Sequence, residues 1–187
     1  PCLVVGIFLL LRGVNFFKAF LLLSAWAILS LILPFCWYVA AYQQGGEEFL
    51  ALVMEENFGR MTNTMSYNSC VNPWHYNFVT LFAGYVPWTL LVVLSLFSLT
   101  YHKFSIQPTA WWKRFTTWIK NMDPVDLFSF TSIVVIFVFY CIPQSKRSVY
   151  LMPIYPFIAY FLAKYLFYLV KKQSKVIKVY GSILAVI

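Results

Sequence analysis

Three cations are the residues of this sequence best suited to chemistry, because each lies in a short polar segment between long apolar runs. They are Arg60, Lys146 and Arg147. An arginine presents a planar fork that holds two oxygens of a phosphate, and a lysine presents a point charge. Together the three residues predict a site for an anionic lipid headgroup, with the phosphate as the group that is bound.

Four polar residues lie close to these cations in the sequence and are predicted to support them. Glu56 and Asn57 precede Arg60, His75 follows a Pro-Trp pair at the head of the next apolar run, and Tyr150 follows Arg147. His75 is a candidate acid–base group or phosphate ligand. Its alternative role is as one member of an aromatic belt at the membrane interface.

The cations also have structural interpretations that need no ligand. Glu56 and Arg60 are four residues apart, a spacing at which opposite charges pair on a helix for about 0.2–0.5 kcal/mol. Lys146 and Arg147 can extend to the phosphates of ordinary outer-leaflet lipids without forming a site.

Other catalytic and ligand-binding patterns are missing from the sequence. The four cysteines show no C-x-x-C pair and no histidine at ligand spacing, so neither a metal nor a cofactor is predicted. Apolar packing is their expected role, with a disulfide between Cys70 and Cys141 as the alternative. There is no glycine-rich phosphate loop and no Ser/His/Asp set. No acid is predicted inside a complete membrane span, and Lys164, which lies in one, is expected to extend to the interface.

Composition excludes the common soluble classes of protein. Of the 187 residues, 61% are hydrophobic and 11% are charged, whereas a soluble domain carries about 25% charge. A soluble fold of this size has too small an interior for so much apolar surface. The net charge of +8 is therefore assigned to cytoplasmic loops rather than to nucleic-acid binding.

The apolar runs predict an all-α fold, a polytopic transmembrane helix bundle. Complete spans are expected at about 19–42, 77–99, 127–142 and 150–170, since roughly 20 apolar residues cross a hydrocarbon core. Barrel strands would instead alternate polar and apolar residues. Shorter runs at 1–11 and 179–187 are predicted to be partial spans, and we expect the chain to be truncated at both ends. Interfacial helices are the alternative for these two runs.

The distribution of lysine and arginine predicts the orientation. Ten of the fourteen fall on one side of the spans, three on the other, and Lys164 lies within a span. The side with ten is predicted to be cytoplasmic, so 43–76 and 143–149 face outward. An amphipathic helix is expected on the outer surface at 46–61 and another on the inner surface at 108–122. A bacterial inner membrane is the expected location.

Two segments resemble the middle of lipid-linked-sugar transferases of the aminoarabinose-transferase and protein-mannosyltransferase type. The first runs Glu56-Asn57-Phe58-Gly59-Arg60, then Pro73-Trp74-His75-Tyr76, then Gly84, Pro87 and Trp88. The second runs Lys146-Arg147-Ser148-Val149-Tyr150-Leu151-Met152-Pro153-Ile154-Tyr155-Pro156. The matches cover roughly residues 45–90 and 140–165 and occur in the same order as in that family.

The resemblance implies a GT-C-like membrane glycosyltransferase that takes a sugar from a polyprenyl-phosphate donor at the outer membrane face, with inversion at the anomeric carbon. It implies that Arg60 holds the lipid phosphate, assisted by Lys146 and Arg147, and that the helix at 46–61 lines the lipid entrance. The partners implied are the polyprenyl-phosphate-linked sugar, membrane lipid and an acceptor that the sequence does not specify.

The sequence departs from the family pattern at two points. Cys70 stands where members of the family often have histidine. In that family the catalytic base is an Asp or Glu in the first outer loop, near the N-terminus of the full protein, and no such loop is found in this sequence. No catalytic residue is therefore assigned here, and the chain alone is expected to be inactive. Two other functions remain open, a component of a lipid or polysaccharide transporter or flippase, and a non-catalytic membrane subunit. Broken helices would favour a transporter.

Overall fold

The computed structural model describes residues 2–59, 62, 72–98, 108–143 and 145–186. Every element assigned within them is a helix, as the composition predicts for an all-α fold. The described residues form eight α-helices, one π-helical turn and one 3-10 helix. In chain order they are α1 (Cys2–Leu11), α2 (Phe16–Met54), the π turn (Glu55–Gly59), α3 (Tyr76–Gly84), α4 (Trp88–Ser98), α5 (Pro108–Lys120), α6 (Pro124–Cys141), the 3-10 helix (Ser148–Ile154), α7 (Tyr155–Lys171) and α8 (Lys175–Val186).

Three of the described helical stretches are long and apolar enough to cross a membrane, namely Phe16–Gly59, Pro124–Cys141 and Ser148–Lys171. A fourth span exists if α3 and α4 together count as one broken span. The 18 residues of α6 extend over about 27 Å at 1.5 Å per residue, close to the hydrocarbon thickness of about 30 Å. These helices fit a membrane protein.

Helix α2 begins at a polar cap and changes direction at a glycine. The Asn15 side chain accepts a hydrogen bond from the Phe17 N–H at 3.0 Å, which satisfies one of the donors left open at a helix start. Gly46 interrupts the helical backbone with φ +56° and ψ −143°, a conformation that other residues rarely adopt. The break lies where the outer amphipathic helix, predicted at 46–61, was expected to begin. The helical segments before and after Gly46 follow each other without a loop.

The run predicted as one span at 77–99 is divided into α3 and α4, which are bent by 105°. Residues 85–87 form the bend, and Pro87 has no N–H with which to continue the helix. Gly84 lets α7 approach closely at this point, because a Cβ on Gly84 would lie 2.6 Å from the Tyr155 Oη. The bend is larger than the kink that a proline inside a membrane helix usually produces.

The helices pack in two groups around α6 and α8. Helix α1 lies against α2 and α6, and α6 lies against the 3-10 helix and α7. At the other end of the molecule α8 packs on α4 and α7, where Leu91, Leu169, Val176 and Tyr180 form a buried apolar cluster. The large apolar side chains of α2 are mostly exposed, which suits a helix surrounded by lipid rather than water.

Candidate functional site

A buried asparagine joins the beginning of α3 to the end of α6 at the predicted outer face. Asn77 is 2% exposed, and its Nδ2 donates to the Tyr140 carbonyl oxygen at 2.8 Å. It also contacts the Cys141 Sγ at 3.6 Å. The last four carbonyls of a helix have no donor within the helix, so the asparagine supplies one from a neighbouring helix. The Cys141 thiol is free, and Cys70 lies outside the described residues.

Stacked tyrosines hold the 3-10 helix against the end of α6. The rings of Tyr140 and Tyr150 lie 5.3 Å apart at an interplanar angle of 21°. Leu151 and Ile154, which follow in the same 3-10 helix, are fully buried. Aromatic pairs of this kind add about 0.5–1.5 kcal/mol beyond the burial of their surface. The stacking on Tyr140 and the burial of Leu151 and Ile154 together fix the position of Tyr150, which follows Lys146 and Arg147 in the chain.

A cavity of about 250 Å³ lies at this outer end, between the π turn and the α6 to 3-10 connection. Three residues predicted from the sequence as supporting groups, Glu56, Asn57 and Tyr150, line it together with Ser145. The other lining residues are Phe139, Tyr140, Ile142 and Pro143. The lining thus contains a carboxylate, an amide and three hydroxyls beside apolar side chains, and the Asn57 Nδ2 donates to the Val53 carbonyl oxygen at 2.8 Å. Groups of these kinds can bind the hydroxyls of a sugar or a polar headgroup by hydrogen bonds.

Lys146 is buried beside this cavity but is not part of its lining. Only 6% of the residue is exposed, and its Nζ donates to the Asn72 carbonyl oxygen at 3.3 Å. The Asn72 Nδ2 donates in return to the Lys146 carbonyl oxygen at 2.9 Å. No carboxylate within the described residues forms an ion pair with Lys146. Lys146 therefore connects the segment before α3 to the segment after α6, the two segments that carry the predicted site residues.

Arg147 and His75, two further predicted residues, do not line the cavity. Arg147 is exposed and precedes the 3-10 helix as its N-cap. His75 is also exposed, and its ring stands edge to face with Trp74 at 5.7 Å. Arg60, the residue expected to hold the phosphate, lies outside the described residues. Among those that are described, no group of three or more His, Cys, Asp or Glu side chains could hold a metal ion.

An ion pair that was not predicted from the sequence joins two of the candidate spans. Lys164 in α7 lies 2.6 Å from both carboxylate oxygens of Asp126 in α6. The Tyr160 hydroxyl donates to the same carboxylate at 2.7 Å. The predicted span began at 127 and excluded Asp126, whereas α6 begins at Pro124. Asp123 caps α6 by accepting from the Val125 N–H, and Asp followed by Pro is a helix-start signal that would have corrected the boundary.

No protein-family model, curated protein or solved structure matches this chain.

Proposed function

We propose that the chain is part of an integral-membrane glycosyltransferase that moves a sugar from a polyprenyl-phosphate donor to a lipid, glycan or protein acceptor at the outer face. The observation that carries the proposal is the cavity shared by Glu56, Asn57 and Tyr150. These residues come from the two segments that resemble lipid-linked-sugar transferases, which are far apart in sequence. Their meeting at one cavity supports a common role for both segments.

The residues divide into binding and positioning roles in this proposal. When a sugar leaves polyprenyl phosphate, negative charge builds on the phosphate oxygens, and nearby cations stabilise that charge. Arg60 and the exposed Arg147 are the cations assigned to the phosphate. Lys146 is a positioning residue, because its Nζ is bonded to the Asn72 carbonyl. The cavity groups would bind the sugar end of the donor, and no catalytic base is assigned to this chain.

The test is sugar transfer by the full-length protein in proteoliposomes, with a radiolabelled polyprenyl-phosphate sugar as donor and a membrane extract as acceptor. Arg60→Ala is expected to lower the rate roughly 100-fold, the effect of removing one group that stabilises transition-state charge. Arg114→Ala in α5 removes an arginine from the predicted inner face and serves as the matched control. Transfer by the Arg60 variant at the native rate, with equal expression, would contradict the proposal.

The broken helix favours a second candidate, a component of a lipid or polysaccharide transporter or flippase. Helices α3 and α4 meet at 105°, and transporters often build their binding sites from interrupted membrane helices. The same proteoliposomes distinguish the two functions. A transporter would move the intact donor between leaflets without an acceptor, whereas a transferase would release polyprenyl phosphate and label the acceptor.

A further inference from the structure

Four lysines cluster where α7 ends and α8 begins. They are Lys171, Lys172, Lys175 and Lys178, and all four are exposed. The turn between the helices is short and hydrogen-bonded. The Ser174 N–H donates to the Leu169 carbonyl at 3.1 Å. Because this turn holds the two helix ends together, the four side chains belong to one surface, which we call the lysine cluster.

Packing of α8 fixes which way its lysines face. Val176 and Tyr180 are buried against α4 and α7, so that side of α8 points into the protein. Lys175 and Lys178 are one turn apart on the helix, a spacing that places both on one face, and both are exposed. The cationic side of α8 therefore points away from the protein, as do the lysines at the end of α7.

The charge of the lysine cluster is not neutralised by the described part of the chain. No Asp or Glu follows Asp126 in the sequence, and none of the four lysines forms an ion pair with a described residue. The Nζ of Lys172 lies 3.4 Å from the Tyr168 hydroxyl and 5.7 Å from the centre of that ring. These contacts are with a neutral side chain, so four positive charges remain for an external partner.

Exposed apolar side chains directly before the lysines indicate what kind of partner this is. Phe167 is 75% exposed and Tyr168 is 55% exposed, and both lie in the last turns of the span Ser148–Lys171. In a membrane these rings lie in hydrocarbon or at its boundary, which places the lysines at the level of the lipid phosphates. A soluble polyanion would leave the rings exposed to water, so a lipid surface fits the arrangement better.

We infer that the lysine cluster binds the headgroups of anionic phospholipids in the leaflet where the span Ser148–Lys171 ends. The interaction is electrostatic and is shared by four exposed lysines, so it selects lipid charge rather than a particular headgroup structure. It is independent of the proposed sugar transfer, because it lies at the opposite end of α7 from Tyr150 and the outer cavity.

The inference is tested with the protein in phosphatidylcholine vesicles that contain a minor fraction of phosphatidylglycerol. Spin-labelled forms of the two lipids report how strongly each one associates with the protein. A lysine at a membrane surface contributes about a five-fold preference for an anionic lipid. The variant K171Q/K172Q/K175Q/K178Q is therefore expected to lose at least about five-fold of the preference for phosphatidylglycerol. High salt should reduce the preference of the native protein in the same way.

The matched control is R12Q/K18Q, which removes two cations of the same predicted side outside the lysine cluster. It should leave most of the preference for phosphatidylglycerol intact. An equal loss per charge in the control would overturn the inference, because the effect would then come from overall charge. An unchanged preference in the quadruple variant, with unchanged helical content, would overturn it as well. Salt-sensitive binding of heparin in detergent, without any lipid preference in vesicles, would show a soluble polyanion as the partner instead.

Discussion

The hydrogen bond from Asn77 to the Tyr140 carbonyl should be a large local contribution to stability at the outer end. Asn77 is 2% exposed and donates at 2.8 Å. In Asn77→Ala the partly buried Tyr140 carbonyl loses this donor, and a fully buried polar group left without a partner costs about 1–3 kcal/mol, which is the upper limit for this site. Hydrogen bonds between membrane helices contribute less, about 0.6 kcal/mol on average and up to about 2 kcal/mol. For a chain of this size we expect the melting temperature to fall by roughly 2–4 °C per kcal/mol.

Thermal unfolding of the purified protein in detergent, followed by near-ultraviolet circular dichroism, measures this loss. Asn77→Asp keeps the side-chain volume but removes the N–H donor, so it should be at least as destabilising as Asn77→Ala. Ser132→Ala is the matched control. Ser132 is 1% exposed and donates to the Phe128 carbonyl in its own helix. That carbonyl already accepts the backbone N–H of Ser132, so the control should lose much less stability.

Two results would refute this reasoning. If Asn77→Ala melts at the native temperature, the interhelical bond contributes nothing to the folded state. If Ser132→Ala loses as much as Asn77→Ala, the cost comes from removing any buried polar side chain rather than from leaving a carbonyl unpaired. The expected result also has a consequence for the outer cavity, because Tyr140 lines it and stacks on Tyr150. Asn77→Ala should then lower sugar transfer in parallel with stability.

Two further predictions concern contacts between helices. Gly84→Ala should lower the melting temperature, because the new Cβ would lie 2.6 Å from the Tyr155 Oη. Adding Tyr155→Phe removes that oxygen and should recover part of the lost melting temperature. If nothing is recovered, the contact with the Tyr155 oxygen is not the cause of the loss. Lys164→Met should destabilise the protein, because an ionised Asp126 carboxylate within a candidate membrane span is costly without its cation. The double variant with Asp126→Asn should be more stable than Lys164→Met alone. If the double variant is the less stable of the two in the same unfolding assay, the two residues are not coupled in this way.

The sequence alone was sufficient for the all-α fold and for the main helical segments. Inside lipid a backbone must satisfy its own hydrogen bonds, so a long apolar run has almost no alternative to a helix. For this reason α6 and the stretch Ser148–Lys171 were predicted within a few residues of their bounds. The break at Gly46 lies where the amphipathic helix at 46–61 was predicted to begin. The lipid-linked-sugar function, the site roles and the orientation stay predictions.

Tertiary structure decided the contacts between residues that are distant in the sequence. The pairing of Asp126 with Lys164, the hydrogen bond of Lys146 to Asn72, and the meeting of Glu56 and Tyr150 at one cavity each depend on how separate segments are placed relative to one another. Hydropathy reports the length of a span and not its rotation or its neighbours. The 105° bend between α3 and α4 is also a feature that hydropathy does not report. Pro87 predicts an interruption but not its angle, and the contact of Gly84 with Tyr155 beside the bend joins residues that are far apart in the sequence.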